Sequence, residues 1–106
     1  MILSFSIFTF DDIENEEMIK KGLSQQRRVM ESQAGHIVSR IARGIDNPHK
    51  FVIFTEWKTR VDYEKAGEVL RNSPEMQQGL DSFFDAMTEE PILGSFDYND
   101  EHDEYR

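Results

Sequence analysis

A chain of 106 residues has room for one domain and little more. Acids outnumber bases 21 to 12, and a net charge of -9 sets the chain against phosphate backbones and anionic membrane surfaces, so neither nucleic acid nor a membrane is an expected partner. Cysteine is absent, which removes disulfides, thiol nucleophiles and thiolate metal sites and fits a reducing cytoplasm.

Residues 1–10 alternate, with Leu3, Phe5 and Ile7 set against Ser4 and Ser6, a strand pattern. The segment lacks the basic leader and small-residue cleavage site of a signal peptide, and no apolar run approaches the roughly 20 residues of a membrane span. The chain is therefore expected to be soluble and cytoplasmic. Asp11 and Glu14 resemble a helix start, and the helix that follows, about 13–32, repeats Ile19, Leu23 and Met30 on one side. Lys20, Lys21, Arg27 and Arg28 on that helix read as a solvated face.

Gly35 closes the connection, and His36 to Arg43 reads as a second strand. Turn residues from Gly44 to Pro48 lead into a third strand, Phe51 to Trp57, which makes 36–57 a hairpin. Thr59 and Asp62 mark another helix start, with Tyr63, Ala66 and Leu70 on one face. Ser73 and Pro74 restart the helix as cap and first position, and Met76, Leu80, Phe83, Phe84 and Met87 form an amphipathic stripe. Pro91 to Tyr98 supplies a last strand. The acidic tail 99–106 is expected to be disordered and leaves one domain over 1–98.

The order βαββαβ is solved by a ferredoxin-like α+β sheet, antiparallel and four-stranded, of order 4-1-3-2 with helices on one face. Phe51, Val52, Ile53 and Phe54 are consecutive, so they point to both faces of that sheet. Helices cover one face; the other needs a cover, and a second copy of the same sheet is the economical one. With 38% hydrophobic residues the core is lean, which points the same way, to a homodimer.

Gly35 before the second strand, Glu56-Trp57 ending the third, the helix from Thr59 and the Ser73-Pro74 restart together resemble the antibiotic biosynthesis monooxygenase family. The resemblance implies a dimeric α/β barrel over residues 1–98. It also implies a choice among cofactor-free oxygenases of quinols and aromatic polyketides, haem-degrading enzymes, isomerases and members without known activity. The haem-degrading branch needs a first-strand asparagine and a histidine about ten residues beyond the tryptophan. This chain has Trp57, no asparagine on its first strand, and Ala66 and Gly67 where the histidine should fall, so that branch is set aside. The oxygenase branch implies a dry pocket, a proton acceptor and donors that hold a phenolate, with no metal or organic cofactor.

In the 4-1-3-2 order Ser4, His36, Trp57 and Phe96 or Tyr98 gather at one end of the sheet, with Tyr63 in the first turns of the next helix. This is the expected pocket. His36 and Tyr63 are the candidate catalytic groups; Trp57, Ser4, Arg40 and Phe96 are the candidate contacts to a small hydrophobic aromatic ligand. Each has a second reading: Trp57 as core plug, His36 facing solvent, Tyr63 as core with its hydroxyl at the rim, Arg40 paired with Glu56 across strands. Whether His36 and Trp57 share a face depends on hairpin register. His36 and His49 lie at opposite ends of the hairpin, too far apart for one metal, and the tail's echo of a calcium loop has His102 at the glycine position. Two functions stay open: a cofactor-independent monooxygenase acting on a quinol, phenol or polyketide-like aromatic, or a non-catalytic homodimer that binds a small ligand or assembles with a partner.

Overall fold

The computed structural model describes residues 1–11, 16–74 and 87–98. The chain runs β1 (Ile2–Thr9), α1 (Glu16–Glu31), β2 (His36–Arg43), β3 (Lys50–Trp57), α2 (Arg60–Asn72) and β4 (Ile92–Asp97). The four strands form one sheet of order β2-β3-β1-β4, every neighbouring pair antiparallel. This is the ferredoxin-like arrangement expected from the βαββαβ order. The stripe from Met76 to Phe84, the helix start at Glu14 and the acidic tail lie outside the described residues; Met87 is within them and bridges to Phe10.

Alternation along β3 separates the two faces of the sheet. Phe51, Ile53, Thr55 and Trp57 are buried towards the helices, whereas Val52, Phe54 and Glu56 are only half-buried. On β1 the same register sends Ile2 and Phe8 to the helix side, opposite Trp57 and Phe51. From α1 come Ile19, Leu23 and Met30, spaced to keep one side of the helix on the sheet. Glu16 and Glu17 in the first turn and Arg28 in the last suit the helix dipole, and Glu16 also pairs with Arg43 at 2.7 Å, tying α1 to β2.

The entry to α2 explains Gly35. Thr59 caps the helix by accepting from the Asp62 amide at 3.1 Å, and its own hydroxyl donates to the Asp62 carboxylate at 2.8 Å. That carboxylate lies where a side chain at Gly35 would go, and Gly35 has φ of +80°, so both space and backbone require glycine. The Lys58 amide donates to the Gly35 carbonyl at 2.8 Å, which locks the start of β2 beside the end of β3.

One irregularity positions the site. The β2–β3 register slips between His36 and Val38, a bulge at Ile37. Beyond it Ser39, Ile41 and Arg43 pair with Thr55, Ile53 and Phe51 on the helix side. Strict alternation would send His36 to the opposite face. The extra residue returns it to the helix side, directly across from Trp57.

Candidate active site

Trp57 is 1% exposed and stands on the central strand β3, between β2 on one side and β1 on the other. Its indole N–H donates to Ser4 Oγ at 3.1 Å, so the one polar atom of the ring is satisfied inside the fold. The Ser4 hydroxyl also approaches the Thr55 carbonyl at 3.4 Å. On the other side the His36 ring meets the indole edge-on, with centroids 5.6 Å apart.

A cleft of about 390 Å³ opens between α2 and the β1–β4 side of the sheet. Among the described residues its walls include Trp57, Met30, Leu70, Ser4, Tyr63 and Arg71. A smaller cleft of about 290 Å³, bounded by Ile2, Arg60 and Asp97, adjoins it, and Tyr63 and Ser95 line both. The larger cleft is apolar in its aromatic and aliphatic walls and polar at a few points, within the size range of small-molecule sites.

The sequence-derived site divides in two on this geometry. Ser4, Trp57 and Tyr63 meet at the large cleft. His36 shares the face of Trp57, yet it stands on the β2 side of the indole and its Nε2 is engaged with Ser39 Oγ at 2.8 Å. Phe96 pairs with Leu3 and stacks on Phe5 at 5.9 Å, on the sheet face away from the helices, and it reaches the rim of the smaller cleft. Arg40 is exposed on that same outer face, in register with Phe54; Val38, not Arg40, is paired with Glu56. Tyr98 also follows the outer-face parity. Its phenol is pushed above the usual value of 10.0, first by partial burial and then by the Glu56 carboxylate beside it. Among the described residues no cluster of three or more histidines or acids could hold a metal ion, and no helix is long and apolar enough to cross a membrane.

A model of the antibiotic biosynthesis monooxygenase family matches residues 12–81. The chain belongs to this family. Solved structures of similar fold include a candidate antibiotic biosynthesis monooxygenase from Nitrosomonas europaea, 18% identical, with a TM-score of 0.73 over 92% of this chain and 88% of that one. SnoaB, a cofactor-independent oxygenase from Streptomyces nogalater, is 13% identical, with a TM-score of 0.70 over 92% of each chain. Rv0793 from Mycobacterium tuberculosis is 12% identical, with a TM-score of 0.72 over 93% of this chain and 95% of that one. At such identities the likeness concerns the fold. No curated protein matches the sequence.

Within this antibiotic biosynthesis monooxygenase domain, sequence reasoning overlooked Arg71 and Met30 as cleft residues. Arg71 follows Leu70 in the last turn of α2, where a basic residue ordinarily complements the helix dipole, so nothing in the sequence separates the two roles. Met30 was legible as core, and its sulfur accepts a hydrogen bond from Thr55 Oγ1 at 3.4 Å.

Proposed function

We propose that this protein is a cofactor-independent monooxygenase acting on a quinol, phenol or polyketide-like aromatic, and that it works as a homodimer. The observation that carries the reading is the cleft of about 390 Å³, which offers an aromatic and aliphatic wall at Trp57 and Leu70, one cation at Arg71 and hydroxyls at Ser4 and Tyr63. A planar aromatic enters on its apolar surface. A guanidinium near its oxygen favours the oxyanion, and the electron-rich anion is the form that passes an electron to O2. For an anthrone the balance is complete with oxygen alone: the ring CH2 becomes a carbonyl, one oxygen atom enters the product and the other leaves as water. Tyr63 is the group suited to exchange a proton with the peroxide oxygen on that route. His36 stands behind Trp57 and reaches the cleft only through other residues. Family membership and the fold shared with SnoaB support the reaction class.

The homodimer rests on the outer sheet face. Phe96 is 59% exposed and Ile92 50% exposed there, beside the half-buried Phe5 and Phe54, an apolar stretch that a second copy of the same sheet would cover.

The test is oxygen uptake with a panel of anthrones and naphthoquinols, followed alongside by quenching of Trp57, the single tryptophan. Saturable quenching with oxygen consumption, and a kcat that falls roughly a hundredfold in Tyr63→Phe, is the expected result. One observation favours the second reading, a non-catalytic dimer that binds a small ligand: Trp57 is 1% exposed and already hydrogen-bonded, as a core plug would be. Quenching without oxygen uptake would leave that reading and remove the oxygenase.

A further inference from the structure

Behind Trp57 runs a chain of polar side chains whose direction is set by its last member. His36 Nε2 lies 2.8 Å from Ser39 Oγ, Ser39 Oγ lies 2.8 Å from Thr55 Oγ1, and Thr55 Oγ1 donates to Met30 Sδ at 3.4 Å. Ser39 is 2% exposed and Thr55 1%, so neither hydroxyl has water as an alternative partner. A thioether has no proton to give, and each hydroxyl has one. Thr55 spends its proton on Met30 and must accept from Ser39; Ser39 spends its own on Thr55 and must accept from the imidazole. His36 is thereby held with its proton on Nε2, which leaves Nδ1 as the acceptor on a half-buried ring of the edge strand.

Met30 is also a wall of the large cleft, and it is unbranched and can swing aside. We infer that His36, Ser39 and Thr55 form a one-way proton-donor chain into that cleft, with the Met30 sulfur occupying the place of a ligand's acceptor oxygen. A ligand carbonyl or oxyanion that displaces the sulfur meets a donor hydroxyl already aimed at it. When the proton is transferred, Thr55 gives its proton to the ligand oxyanion, Ser39 resupplies Thr55, His36 Nε2 resupplies Ser39, and Nδ1 takes a proton from water, leaving a neutral imidazole protonated at Nδ1 and a hydroxide in solvent. One O–H bond forms on the ligand, one O–H bond of water breaks, and nothing is oxidised or reduced. The site would therefore take an acceptor oxygen at the Met30 end and reject a bare donor there.

The inference rests on the cleft being a ligand site, as the proposed function does, but its first test needs no ligand. Long-range proton–nitrogen correlation of nitrogen-15-histidine protein at about pH 8.5, where imidazoles are ordinarily neutral, reads the tautomer directly. His36→Gln assigns the signal. Native protein should show Nε2–H alone, and both Thr55→Val and Met30→Leu should release a mixture, since either one frees the chain to reverse. A native Nδ1–H, or a tautomer unmoved in both variants, overturns the chain. The second test titrates 1,4-naphthoquinone, which only accepts, and naphthalene, which does neither, against Trp57 emission. Thr55→Val should weaken the quinone about fivefold and leave naphthalene unchanged; equal effects on the two would overturn delivery into the cleft. Binding of neither would sink the proposed function, while the tautomer still decides the chain.

Discussion

The two faces of β3 carry residues of similar character under opposite conditions. Towards the helices, Phe51, Ile53 and Trp57 are buried by residues of the same chain, Ile19, Leu23 and Met30 among them. Away from the helices, Val52 and Phe54 have as neighbours Phe5 on β1 and Arg40 and Ala42 on β2, and no element of the described chain lies over them. An apolar residue on the first face is explained by folding alone. On the second face the proposed homodimer would supply the explanation, so the same substitution should be read by different instruments on the two sides.

The largest effect is expected on the inner face. Trp57→Ala should cost roughly 3–5 kcal/mol, since a fully buried indole leaves a cavity and Ser4 loses its donor, and urea unfolding would measure it. A cost below about 1 kcal/mol would show that the ring faces an open site more than a core. On the outer face Phe54→Asp should convert a dimer to the 12.5 kDa monomer by light scattering and make the melting temperature of native protein, but not of the variant, depend on concentration. A native protein that is monomeric at micromolar concentration would end the comparison.

Smaller effects test the frame that holds both faces. Gly35→Ala places a methyl group against the Asp62 carboxylate at φ of +80° and should destabilise by about 2 kcal/mol. Thr59→Ala removes only the cap of α2 and should cost about 1 kcal/mol in the same assay. The smallest effect concerns the outer face at Tyr98, whose phenol is raised above 10.0 by partial burial and then by Glu56. A raised folded-state value means that the neutral phenol is the stabilised form: its contribution is complete below about pH 10 and is lost as pH climbs through the folded value. Glu56→Gln should bring the ultraviolet titration of Tyr98 back towards 10; no movement would show that burial alone raises it.

Strand and helix positions were legible because each depends on periodicity. The alternation of Leu3, Phe5 and Ile7 with Ser4 and Ser6 marks β1, and the Ile19, Leu23, Met30 spacing marks the buried side of α1. The βαββαβ order then left one common solution for the sheet, and the observed order is that one. The site was legible in part. Ser4, Trp57 and Tyr63 follow from topology, as strand ends fall together once the order is known. Phe96 lies at the expected end of the sheet but faces away from the large cleft, because which parity of β4 faces the helices depends on its pairing with Ile2 and Ser4.

Pattern along the chain was enough for the architecture and the presence of an apolar outer face, since these rest on local propensity and on the periods of 2.0 and 3.6 residues, while the family came from the resemblance at Gly35, Glu56-Trp57 and Ser73-Pro74. Three things needed the folded chain. The bulge at Ile37 turns His36 to the side of Trp57, and a single inserted residue leaves no signature in a run of Ile and Val. Arg71 reaches the cleft through the direction of the last turn of α2, which its charge does not announce. The hydroxyl chain from His36 to Met30 joins residues from two strands and a helix, and its links from Ser39 to Thr55 at 2.8 Å and from Thr55 to Met30 at 3.4 Å exist only once packing has brought those elements together and excluded water from between them.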